Sequence, residues 1–179
     1  FGWAAAAIAG VILVATLEGI IAAVILSVVS MIAQSSDPLV YEVRRKRDTD
    51  VYRPRSSEHP DDEAFPGLLI LRTEGRIFFA NAQCIMDKMG PMVREAEPSV
   101  VLLDCGAVPD IEYTALRMLV EAEERLRGHG IELWLARLNP AALDVVQRST
   151  LGPLLGRDRM FFNVHVAVET YLAPQEGRA

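Results

Sequence analysis

The chain has 179 residues, of which 24 are acidic and 18 basic, giving a formal net charge of −6. This length accommodates one ordinary globular domain with an additional segment. An acidic balance argues against nucleic-acid binding, which needs clustered Lys and Arg. The two cysteines, Cys84 and Cys105, are too few for a disulfide framework or a four-ligand zinc site, and they favour a reducing compartment.

The first 33 residues are apolar, and Glu18 is their only formally charged side chain. As one straight helix this run would be roughly 50 Å long, against a bilayer hydrocarbon core of about 30 Å. Glu18-Gly19 near its middle therefore predicts a break, and residues 1–34 are interpreted as a transmembrane helical hairpin. A signal peptide and a buried soluble helix are the alternatives. Because the chain begins at Phe1, inside the apolar run, we expect it to be the end of a longer protein.

Four basic residues follow soon after the apolar run, namely Arg44, Arg45, Lys46 and Arg47. Positive charge close to a membrane exit favours the cytoplasmic side and contacts anionic headgroups at about 1 kcal/mol each. We therefore expect these residues to form a basic cluster at the interface of an inner or plasma membrane. Everything downstream is then predicted to be cytoplasmic. A solvated linker is the alternative reading of the cluster, and it leaves this orientation unchanged.

Residues 35–65 are polar and rich in proline, and they are predicted to be a cytoplasmic linker, ordered or extended. A compact domain is expected over residues 66–175, where strand-like and helix-like runs alternate. Strands are predicted at 67–73, 76–80, 99–105, 131–138 and 160–164, and helices at 83–97, 110–128, 141–155 and 166–172. The order ββαβαβαβα predicts an α/β fold with a mixed, mostly parallel sheet.

Three stretches carry a family resemblance: TLEGIIAAVILSVVSMIAQSSDP, PGLLILRTEGRIFFANAQ and VVLLDCGAVPDIEYTALRMLVEAEERLRGHGIELWLARLNP. In this order and at this separation they resemble the last membrane helices and the STAS domain of SulP (sulfate permease) transporters. The resemblance covers nearly the whole chain and implies a STAS-type fold. It implies membrane transport of anions such as sulfate or bicarbonate, with a cytoplasmic domain that regulates transport. The implied partners are the rest of the membrane domain, the bilayer, a second protomer and a cytoplasmic protein.

The resemblance also points to one loop. STAS domains of the anti-sigma-factor-antagonist type carry a phosphorylatable Ser after an Asp at a helix start. In the matching stretch of this chain the acidic residue is Glu112, and Tyr113 occupies the Ser position. A partner-docking and regulatory loop is therefore implied, comprising Asp104, Asp110, Glu112, Tyr113 and Thr114. Phosphorylation of Thr114 is the alternative, disfavoured by the three neighbouring carboxylates.

Catalytic chemistry has no support in the sequence. His59, His129 and His165 lack a Cys or carboxylate partner at a spacing that suggests a dyad or a metal site. Neither a P-loop nor a dinucleotide-binding motif occurs. We therefore expect no enzyme activity, no metal and no cofactor. The alternative function to a transporter fragment is a soluble antagonist-like switch protein that binds a kinase-type partner.

Overall fold

The computed structural model describes residues 2–173, without the side chains of residues 2, 4–15, 34 and 35. The chain divides into two compact units, one ending at Ser36 and one beginning at Asp37. The helices are α1 (Gly2–Ser36), α2 (Phe79–Ala96), α3 (Tyr113–Gly128), α4 (Pro140–Arg148), α5 (Leu151–Leu155) and α6 (Val164–Leu172). The strands are β1 (Val40–Arg45), β2 (Tyr52–Pro54), β3 (Leu68–Glu74), β4 (Val100–Ala107), β5 (Glu132–Ala136) and β6 (Met160–Phe161).

The first unit is the single helix α1, so the predicted hairpin with its break at Glu18-Gly19 is wrong. A glycine inside a helix costs only about 1 kcal/mol relative to alanine, glutamate is a good helix former, and the first proline is Pro38. A turn would instead leave several backbone groups without hydrogen bonds. The stretch Thr16–Ala33 has a mean hydropathy of 2.2, and it is long and apolar enough to cross a membrane.

The second unit is built on a six-stranded mixed sheet with the order β2-β1-β3-β4-β5-β6. Strand β1 pairs antiparallel with β2 and β3, whereas β3, β4, β5 and β6 run parallel. This arrangement confirms the predicted α/β class with a mostly parallel sheet. Each parallel connection carries one or two helices, as crossovers between parallel strands require.

The predicted second strand, 76–80, is wrong because α2 begins there. Asn81 causes the change: its side-chain oxygen accepts from the Phe78 N–H at 2.9 Å, and its amide donates to the Arg76 carbonyl at 2.8 Å. These bonds satisfy backbone groups that a helix start leaves unpaired. What remains of the strand is one parallel bridge between Ile77 and Ile111.

The antiparallel strands instead come from residues 35–65, which the sequence analysis assigned to a linker. Val43 on β1 is only 1% exposed and lies in the core. The backbones of Arg45 and Glu63 exchange two hydrogen bonds, at 2.8 and 3.1 Å. The segment Asp37-Pro38 is also fixed, because Lys88 of α2 pairs with the Asp37 carboxylate and donates to the Pro38 carbonyl at 2.7 Å.

Both faces of the sheet are covered. One core lies between the sheet and helices α2 to α5, and a second, smaller one lies under α6 around Trp134. Strands β3 and β4 are continuous apolar runs because their side chains pack alternately into one core and the other. The sheet side chains facing α2 to α5 are Leu69, Leu71, Val101, Leu103, Leu133 and Leu135. Those facing α6 are Val43, Leu68, Ile70, Val100, Leu102, Trp134 and Ala136.

The predicted helix 141–155 is split into α4 and α5. Ser149 makes the break, since its hydroxyl donates to the Val146 carbonyl at 2.7 Å and accepts from the Leu151 N–H at 3.1 Å. At Gly152 an added Cβ would lie 2.8 Å from the Gln147 Cα. The two helices pack this closely because residue 152 has no side chain.

The strand arrangement generates a prediction about where the domain begins. A fragment of residues 37–179 is expected to unfold cooperatively, because both cores form within it. A fragment of residues 66–179 lacks β1 and β2 and exposes the edge of β3, so we expect it to lose several kcal/mol or to aggregate. Circular dichroism during thermal unfolding compares the two. Equal midpoints would contradict the contribution of β1 to the fold.

Candidate partner-docking loop

The loop between β4 and α3 lies at the carboxyl ends of the parallel strands, where open α/β sheets place their binding surfaces. Its base is Asp104, whose side chain is fully buried. Arg72 from β3 donates to the Asp104 carboxylate through Nε at 2.8 Å and Nη2 at 2.7 Å. Arg137, which follows β5, reaches the same oxygen at 3.4 Å. One carboxylate therefore ties together the ends of three neighbouring strands.

Arg137 reaches Asp104 through an unusual backbone conformation. By strand alternation its side chain would continue on the face of Leu133 and Leu135, away from Asp104. Its φ of +60° turns the side chain to the other face. The guanidinium then lies against Gly106, where an added Cβ would be 2.4 Å from the Arg137 Cζ. A side chain at position 106 would therefore have to displace the flexible end of Arg137.

The buried Asp104 carboxylate affects the pKa values of two neighbouring groups, Arg72 and Cys105. Burial alone would lower the pKa of Arg72, but the Asp104 carboxylate outweighs it and the pKa lies above its ordinary value. The backbone N–H of Gly106 donates a further hydrogen bond to the Asp104 carboxylate, at 2.9 Å. Next to it, burial and then the Asp104 charge raise the pKa of Cys105 to about 12, so this thiol is neutral at physiological pH.

The loop itself is held from both sides. On the β3 side, the Ile77 N–H donates to the Asp110 carbonyl at 3.0 Å, and the Glu112 N–H donates to the Ile77 carbonyl at 2.8 Å. On the other side, the Asn139 amide donates to the carbonyls of Val108 and Pro109, both at 2.8 Å. The loop is therefore a fixed surface feature.

Arg76 neutralises much of the loop's charge. It pairs with Asp110 at 3.0 Å and with Glu112 at 3.2 Å. Since Asp104 is paired as well, the crowding of three free carboxylates expected from the sequence is absent from the described loop. These pairs are partly exposed, so each contributes at most about 1 kcal/mol.

One aromatic side chain is exposed where the loop meets α3, and another is exposed at the start of α2. Tyr113 and Thr114 form the first turn of α3, and Tyr113 is 67% exposed. Phe79 occupies the corresponding position at the start of α2 and is 69% exposed. Ile77 and Ile111, two residues before each, are bridged. We call Phe79, Tyr113 and Thr114 the aromatic edge.

The structure thus separates the predicted loop residues into two groups. Asp104 is a buried anchor, whereas Tyr113 and Thr114 are exposed and Asp110 and Glu112 are held by Arg76. The sequence analysis missed several supporting residues because their roles depend on contacts between distant segments: Arg72, Arg76, Phe79, Arg137 and Asn139. Among the described residues, no group of three or more His, Cys, Asp or Glu side chains could hold a metal.

Two residues of the predicted basic cluster, Arg44 and Arg45, are engaged in ion pairs. Arg44 pairs with Glu42 at 2.7 Å, and Arg45 pairs with Glu63 at 2.7 Å while its guanidinium lies 4.9 Å from the Phe65 ring centroid. The hairpin turn after β1 exposes the two remaining basic residues, Lys46 and Arg47, beside Asp48 and Asp50.

Comparison with known proteins gives the class of the second unit. Residues 59–167 match the STAS domain family, which is more than half of the chain. The chain belongs to the STAS domain family. The STAS domain of a Vibrio cholerae SulP transporter superposes with a TM-score of 0.53 at 22% identity, covering 65% of this chain and 89% of that structure.

Two larger proteins match over more of the chain than the second unit contains. High affinity sulfate transporter 2 of Stylosanthes hamata is 28% identical over an alignment of 172 residues, and the match covers 90% of this chain and 26% of that protein. The murine Solute Carrier 26 family member A9 anion transporter, inward-facing, superposes with a TM-score of 0.74 at 17% identity, covering 88% of this chain and 26% of that one. The chain therefore spans about a quarter of the length of the relatives it matches. At such identities the structural matches show the fold alone.

The ion pairs of Asp104 with Arg72 and Arg137 lead to a prediction about stability. Asp104→Asn is expected to lower the free energy of unfolding by about 3 kcal/mol, because two guanidinium groups lose a buried partner. Chemical unfolding of the fragment 37–179 measures this difference. The matched control is Asp158→Asn at an exposed position, expected to change stability by less than about 0.5 kcal/mol. Similar effects for both variants would contradict the anchoring role of Asp104.

Proposed function

We propose that this chain is the C-terminal part of a SulP-type membrane transporter for sulfate or a related anion such as bicarbonate. The main support for this proposal is how much of the chain matches the sulfate transporters. Ninety per cent of the chain is more than the second unit alone contains, so the match includes part of α1. A soluble STAS protein would need no such helix.

In this proposal α1 crosses an inner or plasma membrane and the STAS domain lies in the cytoplasm. The orientation is supported by the exposed Lys46 and Arg47, which follow closely after the helix. Headgroup contact is proposed for these two residues alone, because Arg44 and Arg45 are engaged by carboxylates. The adjacent Asp48 and Asp50 make such contact weak.

The proposed role of the STAS domain is to regulate transport through contacts with other proteins, without catalysing a reaction. The aromatic edge is the surface proposed for these contacts. Exposed aromatic side chains on a rigid frame are effective anchors, because little conformational entropy is lost when they dock. The proposed partners are the remaining membrane domain, the second protomer of a homodimer and a cytoplasmic protein.

The alternative, a soluble switch that binds a kinase-type partner, shares the fold. Two observations count against it. Helix α1 exposes large apolar side chains along the described part of its length, including Ile21, Val24 and Leu26. Tyr113 also stands where that class carries its phosphorylatable serine, although Thr114 beside it is exposed.

Uptake of labelled sulfate by the source cells tests the transport proposal. Disruption of the gene is expected to lower uptake of sulfate or, failing that, of bicarbonate at least fivefold, and the full-length gene should restore it. Uptake of an unrelated solute such as an amino acid serves as the control. Unchanged uptake of both anions in the disrupted strain would contradict the proposal.

The regulatory role is tested in the full-length protein with Tyr113→Ala combined with Thr114→Ala. We expect anion uptake to change about tenfold, in line with the loss of an aromatic anchor worth 1 to 2 kcal/mol. Leu172→Ala, which shortens a half-exposed side chain on α6, is the matched control. Membrane abundance is measured for each variant. If both variants transport like the unaltered protein at equal abundance, the aromatic edge has no regulatory role.

A further inference from the structure

The connection between α1 and the sheet is short and is held in place. Only residues 37–39 lie between the end of α1 and the start of β1. Pro38 is buried, and the Leu39 carbonyl accepts a hydrogen bond from the Glu74 N–H at 3.3 Å. A connection of this length, fixed in this way, has little slack. A displacement of the groups that hold it is therefore passed on to the chain on either side.

One lysine of α2 holds this connection. The Lys88 ammonium group pairs with the Asp37 carboxylate and donates to the Pro38 carbonyl at 2.7 Å. Cys84 lies one turn earlier on the same face of α2, with its Sγ 3.6 Å from the same carboxylate. The side chains of Asp37 and Lys88 are 73% and 34% exposed, so their ion pair adds little to stability. Lys88 therefore positions the connection more than it stabilises the fold.

The same helix carries part of the aromatic edge. Phe79 is the first residue of α2, and Lys88 lies about 14 Å further along the helix axis, at 1.5 Å per residue. Neither glycine nor proline occurs between them. Gly90 and Pro91 follow soon after, and the proline removes the helical hydrogen bond to the Asp87 carbonyl. The helix is thus continuous from Phe79 to Lys88 and is weakened just beyond Lys88.

We propose that the first half of α2 transmits docking at the aromatic edge to the connection between α1 and the sheet, with Lys88 as the positioning residue. This inference rests on the proposed regulatory function and names the route by which a bound partner acts on the membrane helix. A partner that contacts Phe79 restrains α2, and Lys88 in turn restrains Asp37 and Pro38. Rigid helices and ion pairs are the elements that carry such coupling.

Hydrogen exchange of the full chain in phosphatidylcholine nanodiscs tests this route without a natural partner. The probe is an antibody fragment selected against the aromatic edge, whose binding is abolished by Phe79→Ala. We expect the bound fragment to slow amide exchange in residues 37–42 by about threefold or more, and by less than about 1.5-fold after Lys88→Met. Residues 46–51, in the hairpin turn outside the proposed route, should exchange at the same rate with and without the fragment.

Two further variants separate positioning from folding. Lys88→Arg keeps the charge and the hydrogen-bond donors, so it should retain the slowing seen in the unaltered protein. Arg94→Met removes an exposed basic side chain of α2 beyond Pro91 and is the matched control, which should also retain the slowing. Circular dichroism verifies that each variant is folded. Slowing that survives Lys88→Met, or its absence from the unaltered protein, would overturn the proposal.

Transport by the full-length protein provides a second test. Phe79→Ala is expected to change anion uptake about tenfold in the unaltered background but about threefold or less in the Lys88→Met background. Equal changes in the two backgrounds would overturn the proposal. If neither Phe79→Ala nor the variant of Tyr113 and Thr114 alters uptake, the proposed regulation is wrong. The exchange experiment then decides the role of Lys88 by itself.

Discussion

The central strands of the second unit depend on the buried carboxylate of Asp104. Asp104 lies at the end of the central strand β4 and is surrounded by apolar strands that offer it no water. Two guanidinium groups satisfy it, one from each neighbouring strand, and the Gly106 N–H completes its bonding. A charge buried without such partners would cost several kcal/mol, so β3, β4 and β5 must end in register for the domain to be stable. The loops that follow these strands therefore begin at fixed positions.

That register also fixes the loop between β4 and α3, which is proposed to be a binding surface. Hydrogen bonds from Ile77 and Asn139 hold the loop on both sides, and Arg76 holds two of its carboxylates. The side chains of Tyr113 and Phe79 are left to solvent. Apolar area exposed on a rigid frame is unfavourable in water and available to a partner. The proposed regulation of transport thus follows from the same geometry that stabilises the sheet.

Much of this fold could be predicted from local sequence. Local sequence predicts the strands at 67–73 and 99–105 and a helix that begins near residue 141, and the structure confirms them as β3, β4 and the start of α4. Strands β1 and β2 could not be recognised, because their charged residues are paired across the sheet and hide the strand pattern. The start of α2 was missed because Asn81 caps it from within. Asp104 was assigned to the loop surface, and only the convergence of Arg72 and Arg137 shows that it is buried.

The transport proposal requires that α1 and the STAS domain belong to a larger integral membrane protein. The most direct measurement is the size and membrane extractability of the native protein in its own cells, using an antibody against the second unit and an alkaline wash. A transporter is expected to appear as a product about four times longer than this chain that stays in the membrane fraction after the wash. A product of about 179 residues released by the wash would contradict it and favour the soluble switch.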